Sequence, residues 1–235
     1  SAQLVGLLTA ALLFAGRFEQ AALCIEQLAR FAPQPTAAAQ RYLLARWQAQ
    51  WGWLLHLSGD AERSSEHFLE ALQALPDSAW TSRLMCLSGL TQQALLRGEL
   101  EAAQRLNREA LCLARSHGSL VLEALLELDH AQLLEQRGAP YRAQSLLETV
   151  QAMLAGQRLT AGPLVGRIVL RRGHLALRQG QDGLAAECFE AGLSMCQQSQ
   201  DKRVLYGFLG LALLAANRGD YAQAFIQLRD AERLM

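Results

Sequence analysis

The sequence is poor in several things, and each shortage excludes something. It has one lysine, Lys202, against many arginines. A phosphate-binding P-loop needs Gly-Lys-Ser/Thr, and Lys202 lies in QDKR with no glycine ahead of it, so the chain carries no P-loop of its own. Aromatic residues make up only 6%. β-Branched residues are also few, which argues against a sheet protein. Net charge is absent, with 22 Lys+Arg balanced by 22 Asp+Glu, so no overall field holds nucleic acid or an anionic membrane. The longest uncharged apolar run, Val204 to Ala216, is too short to span a bilayer and fits a buried helix. No charged segment opens the chain as a signal peptide would.

Catalytic and metal patterns are missing too. The five cysteines, Cys24, Cys86, Cys112, Cys188 and Cys196, form no C-x-x-C pair and read as buried free thiols of a cytoplasmic protein. There is no H-E-x-x-H. His56 and His67 are separated by a turn at Gly59, and Glu66 beside His67 has no second histidine four residues away. His117 precedes Gly118 near a helix end, where histidine commonly meets exposed carbonyls. No Ser/His/Asp or Cys/His set is discernible, so no catalytic residues, metal or cofactor are expected. The arginines of RVLYGF and RIVLRR come without a basic surplus, and DNA binding by this segment is not expected.

What is present is leucine and alanine, within a hydrophobic content of 51%, arranged as a repeat. GRFEQA from Gly16, GDAERS from Gly59, GELEAA from Gly98, GAPYRA from Gly138, GQDGLA from Gly180 and GDYAQA from Gly219 share one pattern. A period near 40 residues over the whole length signals a solenoid. Six units follow, at approximately 1–35, 36–78, 79–118, 119–160, 161–200 and 201–235, forming a single repeat domain. Each reads as two helices joined at its glycine, which takes the left-handed position ending the first. Asp60, Glu99 and Asp220 are placed to cap the second helix. Pro140 and Pro163 fit first turns, and Pro33, Pro35 and Pro76 mark linkers.

Three registers define the packing. Seven before each glycine stand Thr9, Gly52, Thr91, Ala131, Gly173 and Ala212; five after it stand Ala21, Ser64, Ala103, Ala143, Ala185 and Ala224. These small residues let paired helices approach closely. Nine after the glycine, Ile25, Phe68, Leu147, Phe189 and Leu228 form a row of large knobs, with Asn107 the exception.

The small residue in the first helix, the turn glycine and the alanine five later resemble the tetratricopeptide repeat. Phe18 and Tyr221 hold that family's aromatic place two after the glycine; Ala61, Leu100, Pro140 and Asp182 depart from it. The period exceeds the family's usual ~34 residues. HEAT-type repeats share the longer period but lack this pattern. The run from Glu70 to Ser119, above all ALPDSAW, RGELEAA and LARSHGS, is similar to the superhelical domain of MalT-type LuxR-family transcription activators. The resemblance implies an all-α fold, about twelve helices in a right-handed superhelix. It also implies a larger regulator whose ATPase module, with its ATP, and DNA-binding helix-turn-helix lie outside this chain. On that reading the ends, with no starting Met and no polar capping units, mark an excised piece.

In the family's geometry, first helices line a concave face. Six before each glycine, Ala10, Trp53, Gln92, Gln132, His174 and Leu213 point inward; thirteen before come Arg46 and Arg167, and three before come His56 and Glu135. Trp53, Gln92, Gln132 and His174 are expected in one groove, with Arg46 and Arg167 along it to meet an anionic partner. Amides and an imidazole beside Trp suit a polar organic effector such as a sugar, and the groove equally suits a regulatory protein or a peptide of a scaffold's partner. The same residues can also be read as the solvated stripe of an amphipathic helix. Groove residues are expected to contribute little to packing. Trp47 and Trp51, flanking Trp53, are expected to pack against neighbouring helices.

Overall fold

Each described turn glycine is left-handed, with φ of 91° at Gly59, 71° at Gly98, 75° at Gly138, 71° at Gly180 and 78° at Gly219. That conformation is costly for a residue with a Cβ. It closes the first helix of each of these pairs with the same bond, from the residue after the glycine to the carbonyl five residues earlier. The bonds are Asp60 N–H to Leu55 O, Glu99 to Ala94, Ala139 to Leu134, Gln181 to Ala176 and Asp220 to Ala215, all 2.9 Å. The chain then reverses into the second helix.

The computed structural model describes residues 2–14, 17–31, 38–199, 201 and 203–233. Gly16, Pro33, Pro35 and Lys202 lie outside the described residues, as does the side chain of Ala10. Twelve α-helices are described, with no strand among the described residues. They are α1 (Ala2–Phe14), α2 (Phe18–Phe31), α3 (Ala38–Ser58), α4 (Ala61–Ala74), α5 (Trp80–Leu96) and α6 (Leu100–Ser116), then α7 (Leu120–Gln136), α8 (Pro140–Gly156), α9 (Pro163–Arg178), α10 (Asp182–Gln198), α11 (Val204–Asn217) and α12 (Tyr221–Glu232). A short 3-10 turn, Asp77–Ala79, follows Pro76 and leads into α5. The helices fall into two compact units, 1–119 and 120–235, each of three pairs. The fold is an all-α array of helix pairs.

Within each unit the sequence registers become packing. Every small residue seven before and five after a turn glycine is buried, from Thr9 and Ala21 to Ala212 and Ala224. Their hydroxyls are satisfied locally. Thr9 and Thr91 donate to the carbonyls of Val5 and Leu87, each at 2.8 Å, and Ser64 donates to Gly52 O at 2.9 Å. The knobs Ile25, Phe68, Leu147 and Phe189 are fully enclosed, as is Asn107 nearly so. Knob size is matched by the receiving helices. A Cβ on Gly52 or Gly89 would come within 2.7 or 2.3 Å of the Phe68 ring, and one on Gly173 or Gly210 within 2.9 or 2.3 Å of the Phe189 ring. Each Phe therefore sits between a glycine of its own first helix and a glycine of the next pair's first helix. Leu228 differs. It is 42% exposed, because no further first helix lies against α12 among the described residues.

Caps follow the sequence in part. Asp60 accepts from Arg63 N–H at 3.3 Å and Asp220 from Gln223 N–H at 3.0 Å. Glu99 does not cap. Its longer side chain instead meets the Arg97 guanidinium, with Nε 2.9 Å from Oε1. Pro140 and Pro163 occupy helix first turns. Between pairs, Gly118 ends α6 at φ 63°, and the same place after α8 is held by Arg158 at φ 61°, the one left-handed non-glycine among the described residues. His117 is not spent on helix carbonyls through its ring; that ring stacks on Trp80 at 4.3 Å and 8°.

The cysteines are free, but not all buried. Cys86, Cys188 and Cys196 are, and burial pushes the Cys86 thiol up to about 12 and the Cys196 thiol up to about 11. Cys24 is half-buried and Cys112 is exposed on α6. Among the described residues no helix is long and apolar enough to cross a membrane.

Candidate functional site

First helices lie side by side within each unit, α1 on α3 on α5 and α7 on α9 on α11. Their shared faces carry most of the polar and aromatic groups singled out above.

In the first unit, α3 and α5 bring Trp53, His56 and Gln92 together. Trp53 donates its indole N–H to Met85 O at 3.2 Å and meets the His56 ring edge-to-face at 5.3 Å. His56 is held at both nitrogens. Gln93 Nε2 donates to Nδ1 at 2.7 Å, so the ring proton lies on Nε2 and is donated to Gln92 Oε1 at 3.0 Å. The second Gln93 N–H reaches Ser64 Oγ at 3.3 Å, joining α4 to the network. Burial lowers the His56 pKa, against the raising effect of the Gln92 bond. This network favours the neutral imidazole of His56, since a proton on Nδ1 would face the Gln93 N–H.

Gln93 was not among the expected residues, although it is fully buried. A signal for it exists. Five before the turn glycine, the other pairs from α3 onward place Leu54, Leu133, Leu175 and Leu214 in the core. An amide in a leucine row requires a polar partner inside the fold.

In the second unit, Glu135 of α7 is clamped from α9. Arg171 Nη2 and Arg178 Nη1 each lie 2.5 Å from one of its oxygens, and the carboxylate side chain is almost fully buried. Gln132 stands one turn earlier on the same face of α7, half-buried. His174, between the two arginines on α9, meets Phe189 edge-to-face at 5.0 Å. Burial, then the Arg171 charge, lowers the His174 pKa, while Glu135 opposes them. On α11 the corresponding Leu213 is half-exposed, and Tyr206, thirteen before Gly219, is likewise exposed. Tyr206 shares the register of Arg46 and Arg167 and went unremarked in the sequence because it breaks their charge pattern.

Arg167 is engaged within the fold. Both Nε and Nη2 of Arg167 lie 3.3 Å from Asp201 Oδ2, and Arg203 Nη1 lies 3.2 Å from Oδ1. Arg167 therefore serves an internal ion pair in place of an anionic partner. Arg46 packs beside Gly6 of α1 and over the Tyr42 ring, 5.7 Å from its centroid.

Trp53 and His174 also contribute more to packing than expected. Trp53 lies edge-to-face on Phe68 at 5.6 Å and joins the core formed by Ala45, Ala49, Phe68, Cys86 and Leu90. Both are half-buried, so their outer parts alone are available to a ligand. Trp47 and Trp51 stack at 6.2 Å and flank His67 of α4 edge-on, as expected of packing residues. Among the described residues no group of three or more His, Cys, Asp or Glu is arranged to hold a metal ion.

The helix-pair registers, the left-handed turn glycines and the side-by-side first helices agree with one family description. The MalT-like TPR region matches residues 48–235. The chain belongs to this family. Among curated proteins, none matches the sequence. Solved structures of the same fold exist. NprR in complex with its cognate peptide NprX is 14% identical, with a TM-score of 0.75 over 98% of this chain and 66% of that one. A Rap protein complexed with competence and sporulation factor is 10% identical, with a TM-score of 0.69 over 99% of this chain and 76% of that one. BtubC (BKLC) from P. vanneervenii is 16% identical, with a TM-score of 0.61 over 94% of this chain and 89% of that one. At such identities the likeness is one of fold. It places the MalT-like TPR region of this chain among tetratricopeptide-like helical arrays.

Proposed function

We propose that this MalT-like TPR region is the sensing domain of a LuxR-family, MalT-type transcription regulator. It binds an effector or a regulatory protein and relays occupancy to ATPase and DNA-binding domains outside this chain, in the cytoplasm. The carrying observation is the polar and aromatic lining of the first helices, Trp53–His56–Gln92 in one unit and Gln132–Glu135–His174 in the other. Planar amides and rings at hydrogen-bonding spacing suit a polar ligand. The lining is also buried enough to be preorganised, which lowers the ordering cost of binding. Only a ligand that discriminates two states of the parent changes its output. No chemistry is assigned to the chain; its role is recognition.

A second reading is a scaffold that takes a partner's peptide, unrelated to transcription. It is favoured by one finding: NprR, of similar fold, is seen in complex with its cognate peptide. Two thermal-shift screens separate the readings, one of sugars and other polar metabolites, one of a random-peptide library. Stabilisation by a metabolite that also changes ATP hydrolysis and DNA binding of the full-length protein supports the sensor. Stabilisation by peptides alone, with no effect on those activities, supports the scaffold.

A further inference from the structure

Two of the joints between helix pairs carry the same lock. Phe68 sits between Gly52 and Gly89, and Phe189 between Gly173 and Gly210, so a wide ring fills the space that two glycines leave. The joint of α8 with α9 has neither part. In the same three registers it has Ala131, the smaller knob Leu147, and Arg171 where α5 and α11 carry glycine. A charged side chain stands in place of the receiving hollow.

The two ends of this joint differ. Where the chain passes from α8 to α9, Val150 and Leu154 share a buried apolar core with Val165 and Ile168. Toward the other end, where α8 begins and α9 ends, the two helices are linked by polar side chains. Gln144 donates to Glu148 at 3.4 Å, and Arg172 donates to Gln151 at 2.8 Å and to Glu148 at 3.2 Å. From α9, Arg171 and Arg178 also hold Glu135 of α7. These contacts leave much unmet. Of nine buried side-chain polar atoms without a hydrogen-bond partner among the described residues, five belong to this joint: Gln144 Oε1, Arg171 Nε, Arg172 Nε, and both Nε2 and Oε1 of Gln179. Gln179 stands one before its turn glycine. From that register Arg97 reaches Ser65 of α4 and Arg218 reaches Asp182 of α10, so Gln179 is placed toward α8. Among the described residues the α4–α5 joint has one such atom, Gln93 Oε1, and the α10–α11 joint has none. Each unpartnered atom favours an arrangement in which it meets water.

We propose that the α8–α9 joint is a hinge. About its apolar end, the α7–α8 pair swings against α9–α12 between two arrangements. In the closed one Glu135 is clamped by Arg171 and Arg178; in the open one the clamp parts and the amides of Gln144 and Gln179 reach water. The inference rests on the sensing role proposed above and gives that role its moving part. Gln132 and Glu135 stand on one side of the hinge and His174 on the other, so an occupant that touches both sides binds the closed state better and shifts the balance toward it.

Pulsed-EPR distances test this in the whole chain with no ligand added, so failure of the hinge is read separately from failure of the sensing role, which the screens decide. Spin labels go on exposed positions three after the turn glycines, in a background where Cys24 and Cys112 are replaced by serine. Tyr141→Cys with Gly183→Cys spans the hinge, and Gly183→Cys with Ala222→Cys spans the locked joint of α10 with α11. The hinge pair should give two distances, the longer one gaining as NaCl rises from about 0.05 M to about 1 M and screens the Glu135 clamp. The locked pair should give one distance at both. Two variants should collapse the hinge pair to its shorter distance. Ala131→Gly with Leu147→Phe and Arg171→Gly installs the lock of the other joints. Gln144→Leu with Gln179→Leu removes the unpartnered amides, and it decides the matter if the first variant loses the helical circular-dichroism spectrum of the parent. A single, salt-independent distance for the hinge pair in the parent overturns the proposal. So do two distances that persist in a folded variant, or a locked pair that behaves like the hinge pair.

Discussion

Arg158 is the residue with the most local strain on display. Its φ of 61° is the left-handed conformation held elsewhere by glycine, and Leu159 N–H still bonds Leu154 O at 3.0 Å to end α8 as Ser119 and Ala114 end α6. A non-glycine there costs about 1–2 kcal/mol, partly offset by the greater unfolded-state entropy of glycine. Arg158→Gly should therefore stabilise the chain, by about 0.5–1 kcal/mol in denaturant melts; a lowered midpoint would contradict the assignment. The histidines give a second residue-level expectation. His56, His67 and His174 are each held below the ordinary 6.5, burial being the largest cause in all three. The unfolded chain then takes up protons at a higher pH than the folded one. Stability is complete while all three are neutral and is lost as pH falls through 6.5. The melting temperature should drop between about pH 7.5 and about pH 5.5, and His56→Gln should flatten that slope. A melting temperature that rises on acidification would have the sign wrong.

Helices and their pairings were the most legible part of the sequence. Registers seven before, five after and nine after a glycine predict burial because a helix pair has fixed geometry, and position relative to the turn decides which side chains meet. Ala103 and Ala143 are the sharpest instances, both wholly enclosed at the crossing of their pairs. Ala103→Leu and Ala143→Leu should each cost about 1–3 kcal/mol through overpacking, read as lowered denaturant midpoints, and parental midpoints for both would refute the alignment. Caps were less legible. Asp and Glu look equivalent in sequence, yet Asp60 and Asp220 cap while Glu99 turns to Arg97, since the extra methylene favours an ion pair over the short reach to its own helix. The solenoid register also could not distinguish an occupied knob from a bare one. Leu228 reads like Leu147, and what separates them is the presence of a following helix against the second.

On the scale of the molecule, the candidate face was legible as a set of rows and illegible as a network. Trp53, Gln92, Gln132 and His174 could be named from register alone. Their partners could not, because Gln93, Arg171, Arg178 and Asp201 act across helices, at sequence separations that periodicity does not encode. This changes how the face must be tested. Trp53 packs on Phe68 and His174 on Phe189, so truncating either disturbs the core and binding together. Gln132, half-buried, and Leu213, 52% exposed, stand on the same first-helix faces, and they separate recognition from folding. Tyr141, exposed on a second helix, serves as the control. The most direct measurement is calorimetric titration of the tightest ligand from the two screens into the parent, Gln132→Ala, Leu213→Ala and Tyr141→Ala proteins. Recognition by the first-helix faces predicts that Gln132→Ala and Leu213→Ala each weaken binding about tenfold, equivalent to about 1.4 kcal/mol, at an unchanged melting temperature, while Tyr141→Ala binds like the parent. Parental affinity in both first-helix variants, with binding lost in Tyr141→Ala, would contradict it.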